Sequence, residues 1–79
     1  MLSLQVLGPP ARRAILSRTM LDPSAEYHLR ELVRLTGWAP RTVHQELEKL
    51  VGADLLVERR DGNRRYVRPN ERHPLFRPL

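Results

Sequence analysis

The chain has 79 residues, no cysteine and a formal net charge of +5. That length allows one small domain with a modest core, and the missing thiols exclude disulfide stapling, zinc-finger ligand sets and thiol-based sensing. No apolar run approaches the ~20 residues that span a bilayer, and the N-terminal stretch MLSLQVLGPPARR lacks the basic region of a signal peptide, so a cytoplasmic protein is expected.

In chain order, Pro9-Pro10 opens a helix, because proline suits a first helical turn. Ala11 to Met20 then sets Ile15, Leu16, Thr19 and Met20 on one face, and Asp22-Pro23-Ser24 ends it. Glu26-Tyr27-His28 reads as short and extended. Leu29 to Thr36 is helical by its stripe of Leu29, Leu32, Val33 and Thr36, and Gly37 supplies the C-terminal stop. Trp38-Ala39 makes a turn, with Trp38 read as a packing residue or interface plug rather than a base-stacking platform. Pro40 starts the next helix, which runs to about Val51 and buries Val43, Leu47, Leu50 and Val51. Gly52-Ala53-Asp54 stops it. Leu55 to Arg60 and Arg64 to Arg68 read as strands joined by a two-residue hairpin turn within Asp61-Gly62-Asn63. The tail from Pro69 contains Pro74 and Pro78 and starts a short helix at most.

The charge is unevenly placed. Met1 to Glu58 holds seven basic and seven acidic residues, whereas Arg59 to Leu79 holds seven arginines against Asp61 and Glu71. The whole excess therefore sits in the hairpin and tail, and a local basic surface suits a polyanionic partner. A merely solvated face is the plain alternative.

Two helices joined by a glycine-containing turn form a helix-turn-helix, here followed by a basic hairpin. The segments EYHLREL, RLTG, RTVHQELEKL and DLLVERRDGNRRY together resemble the ArsR-type winged-helix regulators, and most of all the small prokaryotic members that sense no metal. The resemblance covers about residues 8–76. The metal sensors of that family carry a cysteine-containing pair in the helix that here reads LRELVRLTG, so no metal and no cofactor is implied. The resemblance implies an α+β, mainly α, winged helix-turn-helix in a single domain over residues 1–79, with a wing at about 55–68 and a short tail at 69–79. It also implies a nucleoid-associated transcriptional regulator, a repressor, that binds double-stranded DNA as a homodimer.

A recognition helix puts its N-terminal residues into the major groove. Arg41, His44, Gln45 and Glu48 share the outer face of the second helix of the pair by their i, i+3, i+4, i+7 spacing. Arg41 suits guanine O6 and N7, Gln45 suits adenine N6 and N7, and His44 suits a base edge or a phosphate. Pro40 and Thr42, at the start of that helix, are placed for the DNA backbone. Arg60, Asn63, Arg64 and Arg65, nearest the hairpin turn, are assigned to phosphates or the minor groove, while Tyr66 and Val67 are expected to pack against the helices. About four neutralised phosphates per subunit predict a slope of about −3.6 for log affinity against log salt. Glu46 and Glu48 would repel phosphate, which turns the C-terminal half of the helix away from the backbone.

Leu2, Leu4, Val6 and Leu7, with Leu75 and Phe76, are surplus apolar residues near the termini. They are read as a dimer seam, with capping of the chain's own core as the alternative. His28, His44 and His73 lack metal-ligand companions at suitable spacing, and Ser3, Ser17 and Ser24 lie in no nucleophile elbow, so no enzyme is expected. The competing function is a protein-interaction or assembly module without specific DNA binding.

Overall fold

A computed structural model describes residues 10–74. The terminal residues Leu2, Leu4, Val6, Leu7, Leu75 and Phe76, assigned above to a dimer seam, lie outside the described residues. The element order is α1 (Pro10–Leu21), β1 (Tyr27–His28), α2 (Leu29–Thr36), α3 (Pro40–Gly52), β2 (Leu56–Asp61) and β3 (Arg64–Pro69). This is an α+β domain, mainly helical, in which three helices pack beside a small three-stranded antiparallel sheet.

The core has one residue or more from most elements. Ile15 of α1, Leu32 of α2, Val43, Leu47 and Leu50 of α3, Leu56 of β2 and Val67 of β3 form a single buried cluster, with Leu16, Tyr27, Leu29, Val33, Val51 and Leu55 packed around it. In α1 the buried stripe is Ala11, Ile15 and Thr19, four residues apart and thus on one helical face. The expected face is therefore turned, since Met20 is exposed and Leu16 is only partly covered. Thr19 tolerates full burial because its hydroxyl donates to the carbonyl of Ile15 at 3.0 Å, a back-bond that removes the cost of an unpaired polar group.

Helix α2 is fixed at both ends. His28 caps its N-terminus: the Glu31 backbone N–H donates to His28 Nδ1 at 3.4 Å, and the His28 N–H donates to Glu31 Oε1 at 3.1 Å. Histidine thus takes the place of the usual serine or threonine in a reciprocal capping box. At the other end Gly37 adopts φ +78° and donates to the Val33 carbonyl at 2.9 Å. The chain leaves α2 through this left-handed residue and re-enters helix at Pro40, where the lost N–H costs nothing.

Helix α3 ends within the expected Gly52-Ala53-Asp54 stop. Gly52 is still helical, and the left-handed position falls on Asp54, at φ 62°. The Leu55 N–H then reaches back to the Leu50 carbonyl at 2.9 Å, which satisfies an orphan carbonyl of the last turn. Strands β2 and β3 pair from Leu56↔Pro69 to Asp61↔Arg64 around a two-residue Gly62-Asn63 turn. Gly62 has φ +63° and Asn63 has no positive φ, the type II′ pattern with glycine at the first central position. β1 pairs on the far side of β3, with Tyr27 opposite Val67 and His28 opposite Tyr66.

The two glycines that bound helices should respond oppositely to alanine. Neither would place a Cβ within 4 Å of another group, so only backbone preference decides. Gly37→Ala is expected to cost about 1–2 kcal/mol at its left-handed φ, whereas Gly52→Ala, in helical conformation, should add roughly 0.5 kcal/mol. Denaturant midpoints at unchanged slope check both.

Candidate nucleic-acid interface

The sheet alternation sorts the hairpin's charges onto two faces. Leu56, Glu58 and Arg60 of β2 lie opposite Pro69, Val67 and Arg65 of β3, and buried Leu56 and Val67 mark this as the helix-facing side. Arg59, Tyr66 and His28 share the other face. Tyr66 therefore does not pack on the helices with Val67. Its ring instead receives the Arg59 guanidinium at 4.7 Å and the edge of His28 at 6.0 Å between centroids. Arg59 is also held bidentately by Glu26, at 2.8 and 2.9 Å, so this arginine ties β2 to the chain before β1.

On the helix-facing side the arginines are tied to carboxylates. Arg65 donates to Glu58 Oε1 from Nε at 3.0 Å and contacts it from Nη2 at 2.9 Å. Its Nη2 also donates to Glu48 of α3 at 3.1 Å. Arg60 donates to the other Glu58 oxygen at 3.0 Å. The Arg65 side chain is only 14% exposed, against 66% for Arg60, so Arg65 is a strut between hairpin and helix while Arg60 remains at the surface. Arg64 and Asn63, at the tip, are exposed, and Arg64 lies beside the Tyr66 hydroxyl.

On α3, Arg41, His44 and Gln45 are all exposed, and Glu48 shares their face. Glu46 does not. It is 6% exposed, accepts from Arg12 Nε at 2.8 Å and lies 3.7 Å from Lys49 Nζ. The expectation that Glu46 repels phosphate is corrected: its charge faces α1 and is neutralised there. Glu48 carries the remaining negative charge of the outer face, shared with Arg65 and with His44 at 3.5 Å. Pro40 is exposed and Thr42 half-buried at the α3 N-terminus, where no side chain caps the helix. Its first N–H groups are left for an external acceptor, on the positive end of the helix dipole.

A cleft of about 630 Å³ runs between the N-terminus of α2, the wing-side flank of α3 and the hairpin tip. His28, Arg30, His44, Arg60 and Arg64 line it over a floor of Leu29 and Leu47. Among the residues expected to act together, His44, Arg60, Asn63, Arg64 and Arg65 converge here, while Arg41 and Gln45 project from α3 outside the cleft lining. Arg30 was not anticipated. It is exposed as the second residue of α2, and the only sequence signal was its place after the capping histidine. Among the described residues no group of three histidine or carboxylate side chains could hold a metal ion, although His28 and His44 share the cleft. No helix of the described residues is long and apolar enough to cross a membrane.

Compared with known proteins, the chain matches no family model, and no curated protein is significantly similar to it.

The ion pairs shift two carboxyls below the usual 4.5. A hydrogen bond from Arg60 is the main cause at Glu58, with help from the charge of Arg65 and against some burial. At Glu26 the main cause is the hydrogen bond from Arg59. A depressed folded-state pKa stabilises fully above the unfolded value and loses its effect as pH falls through the folded one. The melting temperature of the native chain should therefore drop more steeply below pH 4.5 than that of a Glu26→Gln, Glu58→Gln double variant. Parallel pH profiles for the two would contradict this account of the hairpin.

Proposed function

We propose that the domain is a winged helix-turn-helix that binds duplex DNA, with α3 as recognition helix and the β2–β3 hairpin as wing. The single observation that carries this reading is the exposed face of Arg41, His44 and Gln45 at an uncapped helix N-terminus, flanked by a basic cleft. Arginine and glutamine at such positions suit bidentate contacts with guanine and adenine in the major groove. Arg30, Arg60 and Arg64 suit phosphates on either side of that groove. Arg65 is withdrawn from this set because it is spent on Glu48 and Glu58.

On this reading the chain resembles an ArsR-type regulator in its architecture and acts as a cytoplasmic transcriptional repressor. A homodimer would set two recognition helices into successive major grooves of a two-fold operator. Repression by occluding a promoter is taken by analogy with such regulators.

The competing reading, an interaction module without specific DNA binding, draws on the same ion pairs. Three hairpin arginines, Arg59, Arg60 and Arg65, already hold carboxylates, which weakens the positive field. One selection from a random duplex pool separates the two, and a palindromic winner supports the dimer. Arg41→Ala and Gln45→Ala should each cost about 1–3 kcal/mol on the favoured base pair, and Arg64→Ala should weaken all sequences alike. With about three phosphates per subunit, the salt slope should be about −2.7 rather than −3.6. Loss of none of these contacts on mutation favours the interaction module.

A further inference from the structure

Glu48 stands out as an acidic side chain on the one surface that the DNA-binding reading requires to be basic. It is half exposed, at 54%, so it is not hidden from a ligand as Glu46 is. Its two oxygens are divided between neighbours: Oε1 accepts from Arg65 Nη2 at 3.1 Å, and Oε2 lies 3.5 Å from His44 Nε2. A carboxylate is an acceptor with the same appetite for a guanidinium as a phosphate oxygen. Glu48 therefore sets a carboxylate between two basic side chains, Arg65 and His44, on the face where a backbone phosphate would meet them.

Stability alone does not explain this contact. Arg65 is already satisfied by Glu58 through two nitrogens, and Glu58 lies on the strand beside it in the same sheet. The Glu48–Arg65 bond brings an exposed carboxylate to a largely covered guanidinium that is already paired, so it adds less to folding than the Glu58 contact does. Its electrostatic effect on a polyanion is larger, because each phosphate-neutralising charge that is cancelled changes affinity by a full counterion-release increment.

We propose that Glu48 sets the electrostatic strength of the DNA interface: by cancelling one cationic charge beside α3, it lowers affinity for every duplex alike and leaves discrimination to Arg41 and Gln45. The inference rests on the DNA-binding reading above. Specificity is a difference between affinities, so a repulsive element that acts on all sequences weakens binding and flattens its salt dependence without changing the ratio between sites. His44 shares the arrangement, since its Nε2 lies 3.5 Å from Glu48 Oε2.

The test compares the native chain with Glu48→Gln and Glu48→Ala on a mixed-sequence duplex over a range of salt. One extra neutralised phosphate per subunit steepens the slope by about 0.9, which corresponds to ~8-fold tighter non-specific binding at 0.1 M salt relative to 1 M. Both variants should show that gain, while Arg41→Ala should not. A merely structural role for Glu48 would loosen the hairpin and weaken binding, without steepening the slope. Unchanged affinity and slope in both variants, with the native chain binding normally, overturn this inference alone. Failure of the native chain to bind any duplex overturns the DNA-binding reading and this inference together.

Discussion

Burial of Val43, Leu47 and Leu50 along one side of α3 fixes where every other element can sit. A helix with one apolar stripe can bury it only by surrounding that stripe with neighbours, and here α1, α2 and the sheet supply them. The flanks of the stripe are then used for orientation. Glu46 and Glu48 are two positions apart, roughly opposite in azimuth on an α-helix, so they point to different partners. Glu46 holds Arg12 of α1 and Glu48 holds Arg65 of β3. A largely buried ion pair such as Arg12–Glu46 adds modestly to net stability, yet removing one partner strands the other charge. Its value lies in the single arrangement of α1 against α3 that it permits.

Where the sequence was legible, local chemistry decided the outcome. The α2–α3 turn was readable because Gly37 and Pro40 each suit only a few backbone conformations, and the core stripes of both helices follow from spacing. The hairpin turn was readable from Gly62. The misreadings share a cause, which is that they concern direction rather than existence. Ala11 and Met20 lie on opposite sides of α1, flanking the Ile15–Thr19 stripe, and apolar character favoured the Met20 flank although the buried one is that of Ala11. Tyr66 and Val67 are adjacent, so strand alternation forbids both from facing the helices. That same alternation, counted back from Val67, puts Arg65 on the helix side, where Glu48 and Glu58 hold it. The partner of β1 was not readable, because two residues carry no register signal.

The hairpin emerges as a mixed-charge device rather than a positive arm. Composition alone gave a strongly basic C-terminal third. The structure pairs much of that charge internally, with Glu26 on one face and Glu58 and Glu48 on the other. Around the cleft, the arginines among the described residues without a carboxylate partner are Arg64 at the tip and Arg30 at the start of α2, while Arg68 and Arg72 lie on another surface. Net charge is thus a poor guide to field strength here, because it counts arginines that already have a carboxylate within hydrogen-bond reach. Under the proposed reading, the placement of Arg64 and Arg30 confines polyanion contact to a narrow band on either side of α3.

The order β1-β3-β2 leaves β2 as an outer strand of the sheet among the described residues. From Glu58 to Asp61 that strand is an unbroken run of four charged side chains, two arginines between two acids. An incoming strand from another molecule would have to lie against all four, stripping water from charges that already have partners. Sheet extension is consequently a poor route to assembly for this molecule, and aggregation through the hairpin is discouraged by the same residues that shape its surface. Any association between copies is left to helical or terminal surfaces, where Leu21, Leu35 and Trp38 remain open to solvent.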